Sequence, residues 1–184
     1  MLVVKPDKQG IKKAVKVLKS GGVIVYPTDT AYALGGSYDS SKVIKKILKI
    51  KNRKDEKFTI IASSINQVEK FFKFNKYQKK LGKKYWPGPF SIVVSKKFAV
   101  RVPKNEVSRK LARLIGLPLI ATSANLAGKE TLYESKAIIK EFKNKKHQPD
   151  LIVDAGELKK IKTSTVVKVF KDSLEVLRSG SVKI

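Results

Sequence analysis

A helix-period stretch runs straight into an apolar strand near the start of the chain, and this sets the fold class. Ile11, Ala14, Val15 and Leu18 recur at the spacing of one helix face, and Gly21-Gly22 stops that helix. Val23-Ile24-Val25 follows at once, an unbroken apolar run that needs cover on both sides of a sheet. The same alternation recurs downstream. Residues 40–52 read as a helix with Val43, Ile44, Ile47 and Leu48 on its core face and Asp39 or Ser40 as its cap. Strands are expected at 58–62, 91–94, 99–102, 119–121, 151–153, 165–169 and 174–177, the last two pairing through Lys171-Asp172-Ser173. Helices are expected around 65–72, 77–85, 107–115 and 134–144. Helices alternate with strands early and strands dominate late, which implies an α/β fold: a twisted mixed sheet with flanking helices. Neither a repeat nor a linker divides the 184 residues, so a single domain, 1–184, is expected.

Composition narrows the chemistry. With no cysteine and one histidine, His147 in a polar run, a thiolate nucleophile and a histidine metal cluster are both ruled out. No apolar run approaches membrane-spanning length and the first residues lack a signal-peptide core, so a cytoplasmic protein is expected, with no membrane partner. The formal net charge is +26, a field that attracts nucleotides and RNA. Of 41 basic residues only Arg53, Arg101, Arg109, Arg113 and Arg178 are arginine, which leaves 36 lysines, many on outer helix faces. That lysine excess reads equally as the composition of the source. The few arginines are the more informative cations, because planar bidentate recognition of phosphate or carboxylate favours arginine.

Several short stretches carry hydroxyl, amide or cationic groups at element ends. Tyr26-Pro27-Thr28-Asp29-Thr30-Ala31-Tyr32-Ala33-Leu34-Gly35-Gly36 reads as a strand-to-helix connection, either an ordinary turn or a loop that holds a polar ligand. Lys51-Asn52-Arg53 ends a helix, where cations complement the helix dipole or clamp phosphate. Ala121-Thr122-Ser123-Ala124-Asn125 leaves a strand with Ser123 and Asn125 two apart, able to point the same way, and Thr131 lies just beyond. Thr163-Ser164-Thr165 opens a strand, where β-propensity and surface hydroxyls are the plain reading. Arg101, flanked by apolar residues in Ala99-Val100-Arg101-Val102-Pro103, needs an anion, and Arg178 in Leu177-Arg178-Ser179-Gly180 has the same character. Neither a Gly-x-x-x-x-Gly-Lys-Ser/Thr nor a Gly-x-Gly-x-x-Gly motif is present, so a nucleotide would be held some other way.

Taken in order, Tyr-Pro-Thr-Asp-Thr-x-Tyr-x-Leu-Gly, Lys-x-Arg, Trp-Pro-Gly-Pro, Ala-Val-Arg-Val-Pro, Ser-Ala-Asn, Ser-Thr-Val-Val and Leu-Arg-x-Gly resemble the YrdC-like family of threonylcarbamoyl-AMP synthases over roughly residues 10–180. The resemblance implies a twisted mixed sheet with a concave, positively charged surface. It also implies an enzyme that makes threonylcarbamoyl-AMP and pyrophosphate from L-threonine, bicarbonate or CO2, and ATP. The product serves tRNA threonylcarbamoyladenosine modification through a downstream transfer machinery. Magnesium is expected on the phosphates, with no dedicated metal cage implied. By the resemblance, Lys51, Arg53, Ser123 and Asn125 form a catalytic tetrad; Arg53, Lys57, Ser123, Asn125, Thr131 and Arg178 face ATP; Thr30, Arg101, Ala121 and Ser164 hold L-threonine, Arg101 pairing with its carboxylate. The chain departs from the family pattern at Ala33, Lys54, Phe58, Ala62 and Thr122. Ala33 requires an ordinary, negative φ where the family commonly has glycine. Two other readings stand beside the synthase. One is an RNA-binding paralogue of the same fold, which would use the charge for RNA or tRNA. The other is a carbamoyl-transfer module of the hydrogenase-maturation type, which normally sits in a larger chain with zinc-binding cysteines.

Overall fold

A computed structural model describes residues 1–184. Ten strands form one mixed sheet in the order β1-β8-β2-β3-β7-β4-β6-β5-β9-β10. They are β1 Leu2–Val4, β2 Ile24–Pro27, β3 Tyr32–Gly35, β4 Phe58–Ile61, β5 Phe90–Val93, β6 Phe98–Arg101, β7 Leu119–Ser123, β8 Leu151–Val153, β9 Thr165–Val169 and β10 Leu174–Arg178. Six helices cover the sheet: α1 Lys8–Lys19, α2 Ser41–Lys51, α3 Ile65–Phe71, α4 Lys76–Tyr85, α5 Glu106–Ile115 and α6 Ser135–Phe142. None is long and apolar enough to cross a membrane.

Strand alternation divides the interior into two layers. Ile24, Tyr26 and Ala33 pack with Ile11, Ala14 and Leu18 of α1 and Leu111 and Ala112 of α5. Val23, Val25, Tyr32 and Leu34 point the other way, to Val43, Ile47 and Ile50 of α2, Val68 of α3, Leu81 of α4, and Ile138 and Phe142 of α6. Leu151, Ile152 and Val153 are fully buried because helices cover both faces of their strand. Each such side chain contributes about 1.5–3 kcal/mol on burial. Caps fix the helix starts: Asp7 accepts from Gly10 N, Ser40 rather than Asp39 caps α2, and Asn75 with Gln78 forms a capping box at α4.

Two elements differ from the sequence reading. Tyr26 to Gly36 is not a loop between strand and helix. β2 runs through Pro27, and Tyr32–Gly35 returns antiparallel as β3, with Ile24 opposite Gly35 and Pro27 opposite Tyr32. The polar Thr28-Asp29-Thr30 turn hid the hairpin, since Tyr32-Ala33-Leu34 is apolar throughout and shows no alternation. Ala33 lies in this strand, and Asn52 is the sole non-glycine residue with positive φ, so no left-handed turn is needed at Ala33. Gly35 is required for a different reason. A Cβ there would lie 1.7 Å from the Ile120 carbonyl oxygen, which also accepts the buried Tyr26 hydroxyl at 2.7 Å. The second difference is β1, three exposed or half-exposed residues that pair in parallel with β8 and give no periodic signal.

β7 joins two half-sheets. Its first three residues pair with β4 and its last two with β3. At that join the strand carries Ala121, Thr122 and Ser123.

Candidate functional site

A cleft of about 940 Å³ opens over the β7 join. Of the eleven residues singled out from the sequence, Thr30, Arg53, Lys57, Arg101, Ala121, Ser123, Thr131, Ser164 and Arg178 line it; Lys51 and Asn125 do not. Lys73, Lys96, Lys97 and Lys168 line it as well, so the wall carries eight basic side chains and no carboxylate.

The β2–β3 turn builds one wall. Thr28 closes it by donating from Oγ1 to the Ala31 carbonyl (2.7 Å) and accepting from the Thr30 and Ala31 amides. Arg101, at the end of β6, reaches this turn and donates from Nη2 to Thr30 Oγ1 (3.0 Å) and Thr28 Oγ1 (3.3 Å). The anion that Arg101 requires is Asp29. Its Oδ1 lies 2.9 Å from Nη1, with Arg101 buried and Asp29 nearly so, while Oδ2 accepts the Lys104 amide at 2.9 Å. The Nη1–Oδ1 contact is an ion pair without hydrogen-bond alignment, and the Arg101 Nε and Nη1 donors have no acceptor. Burial pulls the Arg101 pKa down, countered by the negative charge of Asp29.

The opposite wall is the β9–β10 end. Ser164 precedes β9 and is buried, as is Thr165, so these are not surface hydroxyls. Ser164 Oγ accepts from Ser91 Oγ (3.1 Å) and from Arg178 Nη2 (2.9 Å), and the Ser164 carbonyl accepts from Arg178 Nε (3.1 Å). A register shift between Val176 and Arg178 turns the arginine to Ser164. Burial, and then the charge of Arg101, lower the Arg178 pKa. Gly180 sets the approach. A Cβ there would lie 2.2 Å from the Thr163 carbonyl oxygen and 2.5 Å from Ser164 C. Gly180→Ala is therefore expected to cost about 1–3 kcal/mol through displaced backbone. The check is a lower urea midpoint at an unchanged m-value.

Lys51 and Arg53 leave α2 in different directions and make no joint clamp. Arg53 donates from Nε to the Asp55 carbonyl (2.6 Å) and from Nη2 to the Lys57 carbonyl (2.7 Å), and stacks over Phe58 at 4.9 Å. Lys51 is 3% exposed and turns inward; its Nζ donates to the Ser123 carbonyl (2.6 Å), the Asn125 carbonyl (2.7 Å) and Asn125 Oδ1 (3.2 Å). Asn125 is buried too, and its Nδ2 donates to the Lys129 carbonyl. Ser123 and Asn125 therefore do not face the same way: the chain turns after β7, and only Ser123 reaches the cleft.

Burial, and secondarily the charge of Arg53, push the Lys51 ammonium down to about 8. Its three oxygen acceptors favour the charged form, so it is protonated at neutral pH. In the unfolded chain the same group titrates near the ordinary 10.5. Between the two values the unfolded state binds the extra proton, so this group makes stability rise with pH. Wild type should gain about 2 kcal/mol more than Lys51→Met between pH 7.5 and 10. Paired urea unfolding curves at the two pH values measure the difference.

Sequence reasoning missed Asp29 as the partner of Arg101, although it stands between two hydroxyls in the first motif. It also missed Ser91 and Phe58, whose apolar strand contexts carry no functional mark.

Fold and cleft together define a mixed-sheet α/β protein with an arginine- and lysine-lined groove at its strand ends. Residues 16–180 match the Sua5/YciO/YrdC family, whose description reads "Telomere recombination". The chain belongs to that family, as its relatives also indicate. A protein of Psychromonas ingrahamii named threonylcarbamoyl-AMP synthase is 37% identical over 162 residues, 79% of this chain and 84% of the relative. The P. abyssi Sua5 crystal structure complexed with L-threonine superposes with TM-score 0.85 at 27% identity, over 97% of this chain and 56% of that longer one. The E. coli YciO crystal structure superposes with TM-score 0.83 at 28% identity, over 97% and 94%.

Proposed function

We propose that this chain is a threonylcarbamoyl-AMP synthase acting as one domain in the cytoplasm, a nucleotidyltransferase that uses L-threonine, CO2 or bicarbonate, and ATP. The observation that carries the reading is the gathering of hydroxyls and guanidiniums from β2–β3, β6, β7, β9 and β10 in one cleft whose walls hold cations and no carboxylate.

The chemistry follows from what each group can still do. The amine of threonine adds to CO2, losing a proton, and yields a carbamate. A carbamate oxygen then forms a bond to the α-phosphorus of ATP while the bond to the bridging oxygen breaks, releasing pyrophosphate. Two anions must approach, so fixed cations and donors supply the main stabilisation. Arg101 and Arg178 feel each other's charge, and an amino-acid carboxylate near them relieves both. Ser164 Oγ already accepts two hydrogen bonds, so its own proton remains to donate to substrate. Thr30 and the backbone at Ala121 complete this end. Arg53, Lys57, Ser123, Thr131 and Arg178 serve the nucleotide. No group of three or more His, Asp or Glu side chains gathers anywhere in the fold, so Mg2+ would be carried by the triphosphate and not by a protein cage. The product, a mixed anhydride, passes to a tRNA threonylcarbamoyl-transfer machinery.

The test is incubation with ATP, Mg2+, labelled bicarbonate and L-threonine, following pyrophosphate and threonylcarbamoyl-AMP. Threonine-dependent formation of both is expected; turnover without threonine, or none at all, overturns the reading. The net charge of +26 favours one other activity, RNA binding without synthesis. Non-specific tRNA binding falls steeply with salt, whereas salt-resistant, sequence-selective binding by a protein that makes no product would identify the RNA-binding paralogue.

A further inference from the structure

Lys51 stands apart from the other cations near the cleft. It is the last residue of α2, a position from which a lysine ordinarily reaches solvent, yet it is 3% exposed and absent from the cleft wall. Its ammonium has three protons, and three oxygens of one short segment take them: the carbonyls of Ser123 and Asn125 and Oδ1 of Asn125. The same segment is tied back to it a second time, by the Ala127 amide donating to the Lys51 carbonyl at 3.0 Å. Asn125 extends the tie through Nδ2 to the Lys129 carbonyl, which fixes the start of the loop leading to Thr131. A lysine whose three donors go to two backbone carbonyls and the Asn125 side chain has none left for phosphate.

We infer that Lys51 is a positioning residue that fixes the turn after β7, and through it Ser123 and the approach to Thr131, without touching ATP. The inference rests on the synthase reading only for its kinetic consequence. The geometry explains why a lysine is needed there. Two converging carbonyls and an amide oxygen, brought together by the turn from β7 into residues 124–127, leave a cluster of negative partial charges at the C-terminal end of α2. A buried cation with three divergent donors satisfies all of them. Methionine fills the volume but leaves the buried Asn125 carbonyl and Oδ1 without a donor and the Ser123 carbonyl with the Asn125 amide alone, and arginine overfills the site.

Three measurements test it. First, hydrogen–deuterium exchange on the ligand-free protein compares wild type with Lys51→Met and Lys51→Arg. Amides in 124–129 should exchange at least tenfold faster in Lys51→Met, with α1 and α5 unchanged and Lys51→Arg intermediate. Second, steady-state kinetics on the same variants should show kcat reduced at least tenfold in Lys51→Met while the ATP dissociation constant moves less than tenfold, with partial rescue in Lys51→Arg. Third, the 15Nζ resonance of Lys51 is titrated with pH in wild type, with and without ATP, which avoids any folding defect of a variant. Its midpoint should be the same in both titrations. An ATP-induced rise of more than one pH unit, or a hundredfold loss of ATP affinity with exchange unchanged, overturns the inference and makes Lys51 a phosphate ligand. A wild-type protein with no synthase activity removes the kinetic arm alone; exchange and the 15Nζ titration still decide the role of Lys51.

Discussion

Arg101→Ala is expected to abolish L-threonine binding and to lower folding stability by about 3–5 kcal/mol, the range for removing one partner of a buried ion pair. Both effects have the same origin. The guanidinium is buried against Asp29, itself nearly buried, and supplies donors to Thr28 and Thr30. Without it the Asp29 carboxylate keeps only the Lys104 amide, and the two threonine hydroxyls lose a donor. The double variant Asp29→Asn/Arg101→Ala separates the roles. It should recover at least half of the lost stability, because no buried charge is left unpaired, and it should still fail to bind threonine. Urea unfolding gives the first quantity and calorimetric titration with L-threonine the second. Wild-type threonine affinity in Arg101→Ala would remove this residue from the amino-acid site.

Arg53→Ala should behave in the opposite manner. Its hydrogen bonds go to carbonyls of the exposed loop that follows α2 and, at 3.5 Å, to the half-buried Thr122 hydroxyl, all of which water can serve, so the stability cost should be about 1 kcal/mol or less. The loss in kcat/KM for ATP should be about 10²–10³-fold, the usual effect of removing one preorganised group that stabilises charge in the transition state. Pyrophosphate release against ATP concentration reads the loss directly. Activity within threefold of wild type would remove Arg53 from the phosphate-handling wall.

How much of this was legible before folding depends on which residues carry the signal. The helices from Ile11 to Leu18 and from Val43 to Ile47 declare themselves by spacing and stop signals, and the β5–β6 and β9–β10 hairpins by paired apolar runs around lysine turns. β3 does not, because both its faces are buried and its side chains are uniformly apolar. Site membership was legible in order and composition, through the motif series that gathers in the cleft. Side-chain direction was not. Ser123 and Asn125 sit two apart in sequence, but the backbone turns between them, so the period-two argument for extended chain stops at Ser123. Lys51 and Arg53 sit two apart at a helix end, and the left-handed Asn52 between them sends one inward and the other to the cleft. Asp29 was visible as a residue but not as the partner of Arg101, because nothing local in the chain indicates a pairing that only the sheet order creates.

That sheet order bears on how the protein is made. β9 docks beside β5 and β10 beside β9, so Ser164, Arg178 and Gly180 close a wall whose other residues emerge from the ribosome much earlier. β8 likewise inserts between β1 and β2 only after most of the chain exists. Topologies dominated by such distant pairings fold slowly. A nascent chain that has reached β7 already carries Arg53, Arg101 and Ser123 but lacks both β8 and the β9–β10 wall. On the proposed reading, the amino-acid end of the groove gains Ser164 and Arg178 only when its last strands are in place, and a ribosome-stalled chain ending before Thr163 should not bind L-threonine.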